Sequence, residues 1–384
     1  MFNVRVTTEI PAERSGHIDT AFLISVILLW GFGTVTLFIT STNVAVRIFD
    51  DALYFVKRQM LYSIAGFALM TLFAVFPLET LRRVLPKLAF GSFMLCLMVF
   101  LPVIGVERNA ARRWIRMPLF GTFQPSETAK FVVILFLANL FTKQIDSEGD
   151  VQIKLFAPVT GLGLFVAVIF LQKDFSNGAF MLAIGIVLFF VAGLRIRWFL
   201  SLCIFIVPIT ILFICTEPYR VNRLIAFLCP GYDIYGLNYQ SNMSRLAINA
   251  GELFGKGFGS GLIRINRIPE VQSDYIFAGW TEAMGFVGVL SYFVLLFFFA
   301  WRGFRASITT TDRFGSYCAF GATASVIMQS LLNCGIVCNA FPATGIPLPF
   351  FSSGGSSLLI TFIMSGIILQ ISRIQTKRIR KIYS

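Results

Sequence analysis

Long apolar runs alternate with short polar breaks along most of this chain. The runs lie near 19–40, 59–77, 88–104, 128–142, 155–171, 178–194, 197–214, 275–300, 316–340 and 356–372. Each is long enough, or nearly so, to cross about 30 Å of hydrocarbon as a helix. The pattern predicts an all-α polytopic membrane protein of ten transmembrane helices, forming one integral unit over residues 1–384. Its one long polar segment, 215–274, falls between the seventh and eighth helices. That loop ends on Ser273-Asp274-Tyr275, where the next apolar run begins. A carboxylate at a boundary between water and lipid is costly, so Asp274 is expected to have chemistry to do there.

Composition closes off the soluble alternatives. The chain is 57% hydrophobic and 13% charged, with 43 Phe, which a water-soluble globular domain of this length does not carry. The polar start, with Glu9 and Glu13, lacks the basic region of a cleavable signal, so the first run is expected to remain as a span. Lys and Arg in short loops mark the cytoplasmic face, and the C-terminal tail holds Arg373, Lys377, Arg378, Arg380 and Lys381 without an acid. With ten spans both termini are cytoplasmic. The same face receives Arg82, Arg83 and Lys87, then Arg195 and Arg197, then Arg302, Arg305 and Arg313. A cytoplasmic (inner) membrane location is expected, with membrane lipids as surroundings and no nucleic-acid partner.

Two outer segments carry positive charge against this rule. Arg108, Arg112, Arg113 and Arg116 lie between spans three and four, and the long loop holds Arg220, Arg223, Arg245, Lys256, Arg264 and Arg267. Long loops escape the charge bias, and arginines beside a span reach for headgroups, which explains any single one. As a set they suit a phosphate-bearing ligand, because the guanidinium fork grips phosphate oxygens in pairs. An anionic lipid substrate is implied.

The seven cysteines show no zinc spacing and read as small apolar packers, with a disulfide between Cys215 and Cys229 left open. His17, the only histidine, precedes the first span on the cytoplasmic side, so histidine acid–base chemistry on the outer face is excluded.

Three further stretches place charge or irregular backbone near the outer mouth. In Gln124-Pro125-Ser126-Glu127-Thr128-Ala129-Lys130, Pro125 suits a helix start, and Glu127 and Lys130 can pair on one face. They are either a helix-end ion pair or part of a site with the arginines. Asp174, in the turn after the fifth span, is a second outer carboxylate, and Glu282 lies about two turns into the eighth span, where it should face the interior with a partner or a proton. Finally, the uncharged segment Gly345 to Leu358 has prolines and paired glycines that forbid a regular helix, yet Phe350 and Phe351 make it too apolar to float in water. It reads as a re-entrant or lining segment, tolerated where protein or a water-filled cavity covers its backbone.

Together these stretches resemble the SEDS family (shape, elongation, division and sporulation), the membrane peptidoglycan polymerases that include FtsW, RodA and SpoVE. The resemblance rests on Arg113-Trp114 leading to Gln124-Pro125-Ser126-Glu127 and Lys130, on Gln172 and Asp174, on Asp274-Tyr275-Ile276-Phe277-Ala278 with Glu282 and Gly285, and on Gly345-Ile346-Pro347-Leu348-Pro349 through Ser357. Pro218-Tyr219-Arg220-Val221-Asn222-Arg223-Leu224 looks more like the division branch, FtsW, than RodA. Thr122, Lys173 and Ala283 depart from common residues of the family.

The resemblance implies a glycosyltransferase that polymerises lipid II, an undecaprenyl-diphosphate disaccharide-pentapeptide, at the outer face of the membrane. It carries Asp274 onto the family's essential aspartate and Arg58, Glu127, Lys130 and Asp174 onto positions lining the central cavity. Asp274 is then the general base, with Arg58, Arg112, Arg113 and Lys130 holding the diphosphate charge and Glu282 near the substrate. A class B penicillin-binding protein and other division proteins are the implied partners. No carboxylate cluster identifies metal ligands, and a divalent cation, Mg or Mn, that would share the diphosphate charge stays open. An elongation polymerase of RodA type, a transporter that moves lipid II, and a scaffold that only anchors partners are the competing readings.

Overall fold

The computed structural model describes residues 18–108, 111–117, 121–148, 155–194, 218–229, 238–257 and 268–374, and the single positions 231, 233 and 236. Among the described residues six helices precede the long loop: α1 (Thr20–Phe49), α2 (Tyr54–Val75), α3 (Leu78–Met98), α4 (Pro125–Glu148), α5 (Phe156–Leu171) and α6 (Phe175–Val191). The loop holds α7 (Pro218–Leu228) and α8 (Tyr239–Gly251), and α9 (Ile276–Thr309), α10 (Arg313–Val337) and α11 (Gly355–Ser372) complete the chain. Nine of the ten expected spans therefore coincide with helices, and the seventh, 197–214, lies outside the described residues. Six helices (α1, α2, α4, α9, α10 and α11) are long and apolar enough to cross a membrane, while α5 and α6 are apolar but shorter.

The all-α expectation needs one correction. Between α3 and α4 the chain forms a three-stranded antiparallel sheet, β1 (Gly105–Arg108), β2 (Ala111–Met117) and β3 (Gly121–Phe123), in the order β1-β2-β3. The sequence there is too polar to cross lipid and too short of backbone partners to stand alone. Pairing Ile115 with Gly105 on one side and Phe123 on the other supplies them.

Burial sorts the helices into central and peripheral. In α4 and α11, 83% of the apolar stretch is covered by other helices, against 33% in α2 and α9. The peripheral helices turn rows such as Ile24, Ile27, Val35 and Phe38 outward, as a face against lipid requires. α11 packs along α2, α9 lies between α1 and α10, and α4 bridges α3 and α10.

Helix α9 is broken at Gly285, whose φ of 62° is left-handed. The break frees backbone groups that the chain after α8 takes up: Lys256 N–H donates to Glu282 O at 2.9 Å, and Phe286 N–H donates to Glu252 O at 2.9 Å. Buried backbone is thus paired on both sides of the kink.

Candidate active site

Asp274 sits in the turn immediately before α9, and its main chain is held from two sides. The Asn333 side-chain amide on α10 donates to Asp274 O at 2.9 Å and to Ile346 O at 2.8 Å. Ser353 N–H donates to Gln272 O at 2.9 Å, and the Ser352 hydroxyl donates to Ser273 O. The segment expected to line a cavity does so: Ile346, Leu348, Phe350 and Phe351 are buried, while Thr344, Gly345, Pro347 and Ser353 to Ser357 face open space. Its prolines leave few N–H groups to satisfy, and Leu348 N–H finds Ser352 Oγ at 2.8 Å.

That space is a cavity of about 890 Å³ at one end of the bundle. Five cationic side chains line it (Arg58 from α2, Arg113 from β2, Lys173 from the α5–α6 turn, Arg220 and Arg223 from α7) beside two carboxylates, Glu270 and Asp274. Among the described residues the Asp274 carboxylate accepts no hydrogen bond. Burial pushes its pKa up to about 6, against the Arg223 guanidinium, which lowers it, and with the Glu270 carboxylate, which raises it. A half-buried carboxylate in that range is suited to take a proton at neutral pH.

Arg58 has a seat that depends on a missing side chain. A Cβ on Gly121, whose φ is 78°, would lie 2.3 Å from Arg58 Nη2. The glycine at the start of β3 therefore lets the guanidinium lie against backbone at the cavity wall.

Beneath the lining lie two buried polar webs. In the first, Asp174 accepts from Gln124 Nε2 at 2.9 Å, Asn177 Nδ2 at 2.9 Å and Ser126 Oγ at 3.3 Å. Its other oxygen faces Arg113 Nη1 at 3.8 Å, and Arg113 also donates to Lys173 O at 2.6 Å. Asp174 thus aims Arg113 at the cavity without lining it. In the second web, Lys130 and Glu127 form a buried ion pair at 2.9 Å. Gln329 accepts from Lys130 Nζ at 3.2 Å and donates to Pro347 O at 2.9 Å, tying that pair to the lining segment.

Of the residues singled out from sequence, Asp274, Arg58 and Arg113 meet at the cavity, and Asp174, Glu127 and Lys130 lie under it. Two of the residues singled out stand apart from the cavity. Arg112 does not line the cavity; it pairs with Glu107 at 3.1 Å on an exposed face of the sheet, because adjacent strand residues point to opposite sides. Glu282 is buried, as a carboxylate within a span was expected to be, but it does not line the cavity; its main-chain oxygen accepts from Lys256 N–H of the chain after α8, next to the break at Gly285. The cation count of the cavity also rests on two members of the outer arginine set that the sequence suggested for a phosphate-bearing ligand. Arg220 and Arg223, spaced three apart, share one face of amphipathic α7, which was the available signal. The Cys215 half of the open disulfide lies outside the described residues; Cys229 is exposed.

No group of three or more His, Cys, Asp or Glu able to hold a metal ion occurs among the described residues. Glu270 and Asp274 are the two carboxylates of the lining, and no metal ligand set is assigned to them.

A bundle of apolar helices enclosing a cationic cavity with one poised carboxylate defines a multi-pass helical membrane protein with a polar site at one end. The chain belongs to the FtsW/RodA/SpoVE family, whose model, described as a cell cycle protein, matches residues 20–377. It is 34% identical to the probable peptidoglycan glycosyltransferase FtsW of Geobacter sp. strain M18, over 92% of this chain and 96% of that one. Stage V sporulation protein E of Bacillus subtilis strain 168 is 33% identical, over 92% of this chain and 97% of the relative. Among solved structures, a chain from a peptidoglycan synthase complex described for its coordination of polymerization and crosslinking superposes with a TM-score of 0.75 at 25% identity, covering 94% of this chain and 99% of that one. The rod shape determining protein RodA of Thermus thermophilus has the same fold, with a TM-score of 0.68 at 23% identity over 94% and 99% of the two chains.

Proposed function

We propose that this protein is a peptidoglycan glycosyltransferase that polymerises lipid II into glycan strands at the outer face of the cytoplasmic membrane, for septal wall synthesis. Relatives named peptidoglycan glycosyltransferase FtsW, 31–34% identical over more than nine-tenths of the chain, support the activity and the division role. The observation that carries the mechanism is the Asp274 carboxylate, held with a raised pKa among five cations in one cavity. The orientation follows from charge: Arg82, Arg302 and Arg313 cluster at the end opposite the cavity, which is taken as cytoplasmic. Counting 197–214 as a further crossing gives ten spans with both termini inside.

In this reading Asp274 takes the proton of the acceptor sugar's 4-hydroxyl as that oxygen bonds to the anomeric carbon of the donor. The bond from that carbon to the phosphate oxygen breaks, and the configuration inverts from α to β. Arg58, Arg113, Arg220, Arg223 and Lys173 are fixed cations where the departing diphosphate gains charge. Asp174 aims Arg113, and the Lys130–Glu127 pair supports the lining segment. This reassigns Lys130 from direct contact to support. Arg112 and Glu282 have no substrate role here.

The same packing speaks against a transporter. Below the cavity the path is filled by Phe350, Phe351 and the Lys130–Glu127 pair, all buried, so passage to the other end would require breaking a core. A class B penicillin-binding protein is the partner proposed for crosslinking, by likeness to the solved synthase complex. The test is polymerisation of labelled lipid II by the purified protein with its transpeptidase, wild type against Asp274→Ala. A loss of about 10²- to 10⁴-fold is expected for removal of a general base. Polymerisation by the variant at the wild-type rate would end this reading.

A further inference from the structure

Helix α10 presents two amide side chains one turn apart, Gln329 and Asn333, both buried. Among the described residues they join α10 to the lining segment and to the main chain of Asp274. Asn333 Nδ2 donates to Asp274 O at 2.9 Å and Ile346 O at 2.8 Å. Gln329 Nε2 donates to Pro347 O at 2.9 Å and to Ser357 Oγ at 3.4 Å, and Gln329 Oε1 accepts from Lys130 Nζ at 3.2 Å.

The chemistry explains why amides are used. Ile346 O and Asp274 O are carbonyls of irregular backbone, so no neighbouring turn of helix supplies their donors. One NH₂ group carries two protons and can serve both at once, which neither a hydroxyl nor a carboxylate can do. The two carbonyls fix which way the Asn333 amide faces, and the amide in turn fixes how far Asp274 stands from Gly345. The carboxylate's Oδ2 lies 3.4 Å from where a Cβ on Gly345 would be. One helical turn along α10, from Asn333 back to Gln329, then connects this clamp to the buried Lys130–Glu127 pair.

We infer that Asn333 is a positioning residue for polymerisation, holding the main chain of the base against the lining segment, and that Gln329 ties the same clamp to the buried ion pair. This rests on the reading of Asp274 as base. Asn333 touches no reacting atom; it acts through Asp274, so its loss should change how fast bound substrate reacts and at what pH. Freed from the clamp, the 273–275 turn lets the carboxylate move toward the open cavity, where water solvates it. The charged groups around it are Arg223 and Arg220 from α7 and Glu270 from the preceding turn, with Arg58, Arg113 and Lys173 lining the same cavity. Better solvation favours the charged form, so the acid limb of the rate profile should move down.

The test uses the purified full-length protein, its transpeptidase and labelled lipid II. Asn333→Leu keeps the volume and removes both donors. Expected are a kcat lower by about 10- to 100-fold, a KM within about twofold, and an acid limb moved toward the ordinary carboxylate range. Adding Asn333→Leu to Asp274→Asn should cost nothing further, since both act through one group. Should Asn333→Leu fail to fold, Asn333→Ser, which keeps one short donor, decides by the same limb shift and a smaller loss in kcat. A wild-type rate and limb in whichever variant folds, or a full multiplicative loss on the Asp274→Asn background, overturns the clamp. An active Asp274→Asn single variant instead overturns the reading of the base, so the two failures are told apart.

Discussion

At the end of the bundle where α1 begins, Asp19 caps that helix through Phe22 N–H at 3.0 Å and takes Arg302 at 2.7 Å. Asp312 there caps α10 through Phe314 and Gly315, and Arg82 meets Asn139 at 2.8 Å and the face of Phe314. At the other end Asp274 faces a cavity, with Arg58, Arg113, Arg220 and Arg223 around the same space. The residue types are alike, but at the α1 end Asp19 and Asp312 are taken up by a helix cap or an ion pair. Such contacts close a helix end and leave nothing for a ligand. At the cavity end the protein takes up hydrogen bonds of the main chain around Asp274 and leaves its carboxylate to the cavity. A charge is a candidate for chemistry when the fold holds its backbone and not its head.

The sharpest way to break this contrast is Asp274→Asn. The rate should fall about 10²- to 10⁴-fold in the lipid II assay. The folded protein should also become more stable at pH 7, because the carboxyl's pKa is raised to about 6 and its ionised form is therefore unfavourable in the fold. Melting in detergent reads the second effect; a lower melting temperature would mean that the carboxylate is saturated after all, like Asp19.

Next in size is the ion pair under the cavity. Lys130→Met leaves Glu127 buried without its partner and should lower stability by about 3–5 kcal/mol, whereas changing both residues together to apolar ones should cost less. Denaturation of the single and double variants measures the difference. For pH, the sign is fixed by the raised pKa of Asp274: the base form is lost as pH falls through about 6, so the rate should decline below that point and level off above it. A rate profile flat from pH 5 to 7 would remove Asp274 from the rate-limiting step.

Two smaller effects complete the comparison. Gly121→Ala places a Cβ on Arg58 and strains a left-handed position, so kcat/KM should fall by about tenfold, the loss of roughly one charged contact. Arg302→Ala, at the α1 end, should cost about 1 kcal/mol of stability and leave polymerisation unchanged. If the two substitutions affect the rate equally, the ends of the molecule do not differ as described.

Much of this architecture was legible from residue order alone. Apolar runs located α1 to α6 and α9 to α11, because a segment crossing hydrocarbon must be both long and apolar, but the ends of α1 and α9 and the start of α3 extend well past the apolar runs. Asp274 could be picked out because its cost at a span boundary is local, and the irregular stretch 345–354 because its prolines and glycines oppose a helix, although the last four residues of the 345–358 segment, Gly355 to Leu358, form the first turn of α11. The tertiary structure alone decided what those residues face. Glu282 was expected by helical rise to face the interior and is buried, and the 251–257 chain packs beside it at the break made by the left-handed Gly285, apart from the cavity lining. Arg112 and Arg113 are equivalent in composition and are separated by the alternation of β2, once pairing makes that stretch a strand. Arg220 and Arg223 join a site with Arg58 because α7 folds over the cavity, a contact between residues some 160 positions apart that no local pattern encodes. Hydrophobicity and backbone permissions are properties of short segments, so sequence fixes them; the direction of a charged head depends on which other segment packs beside it.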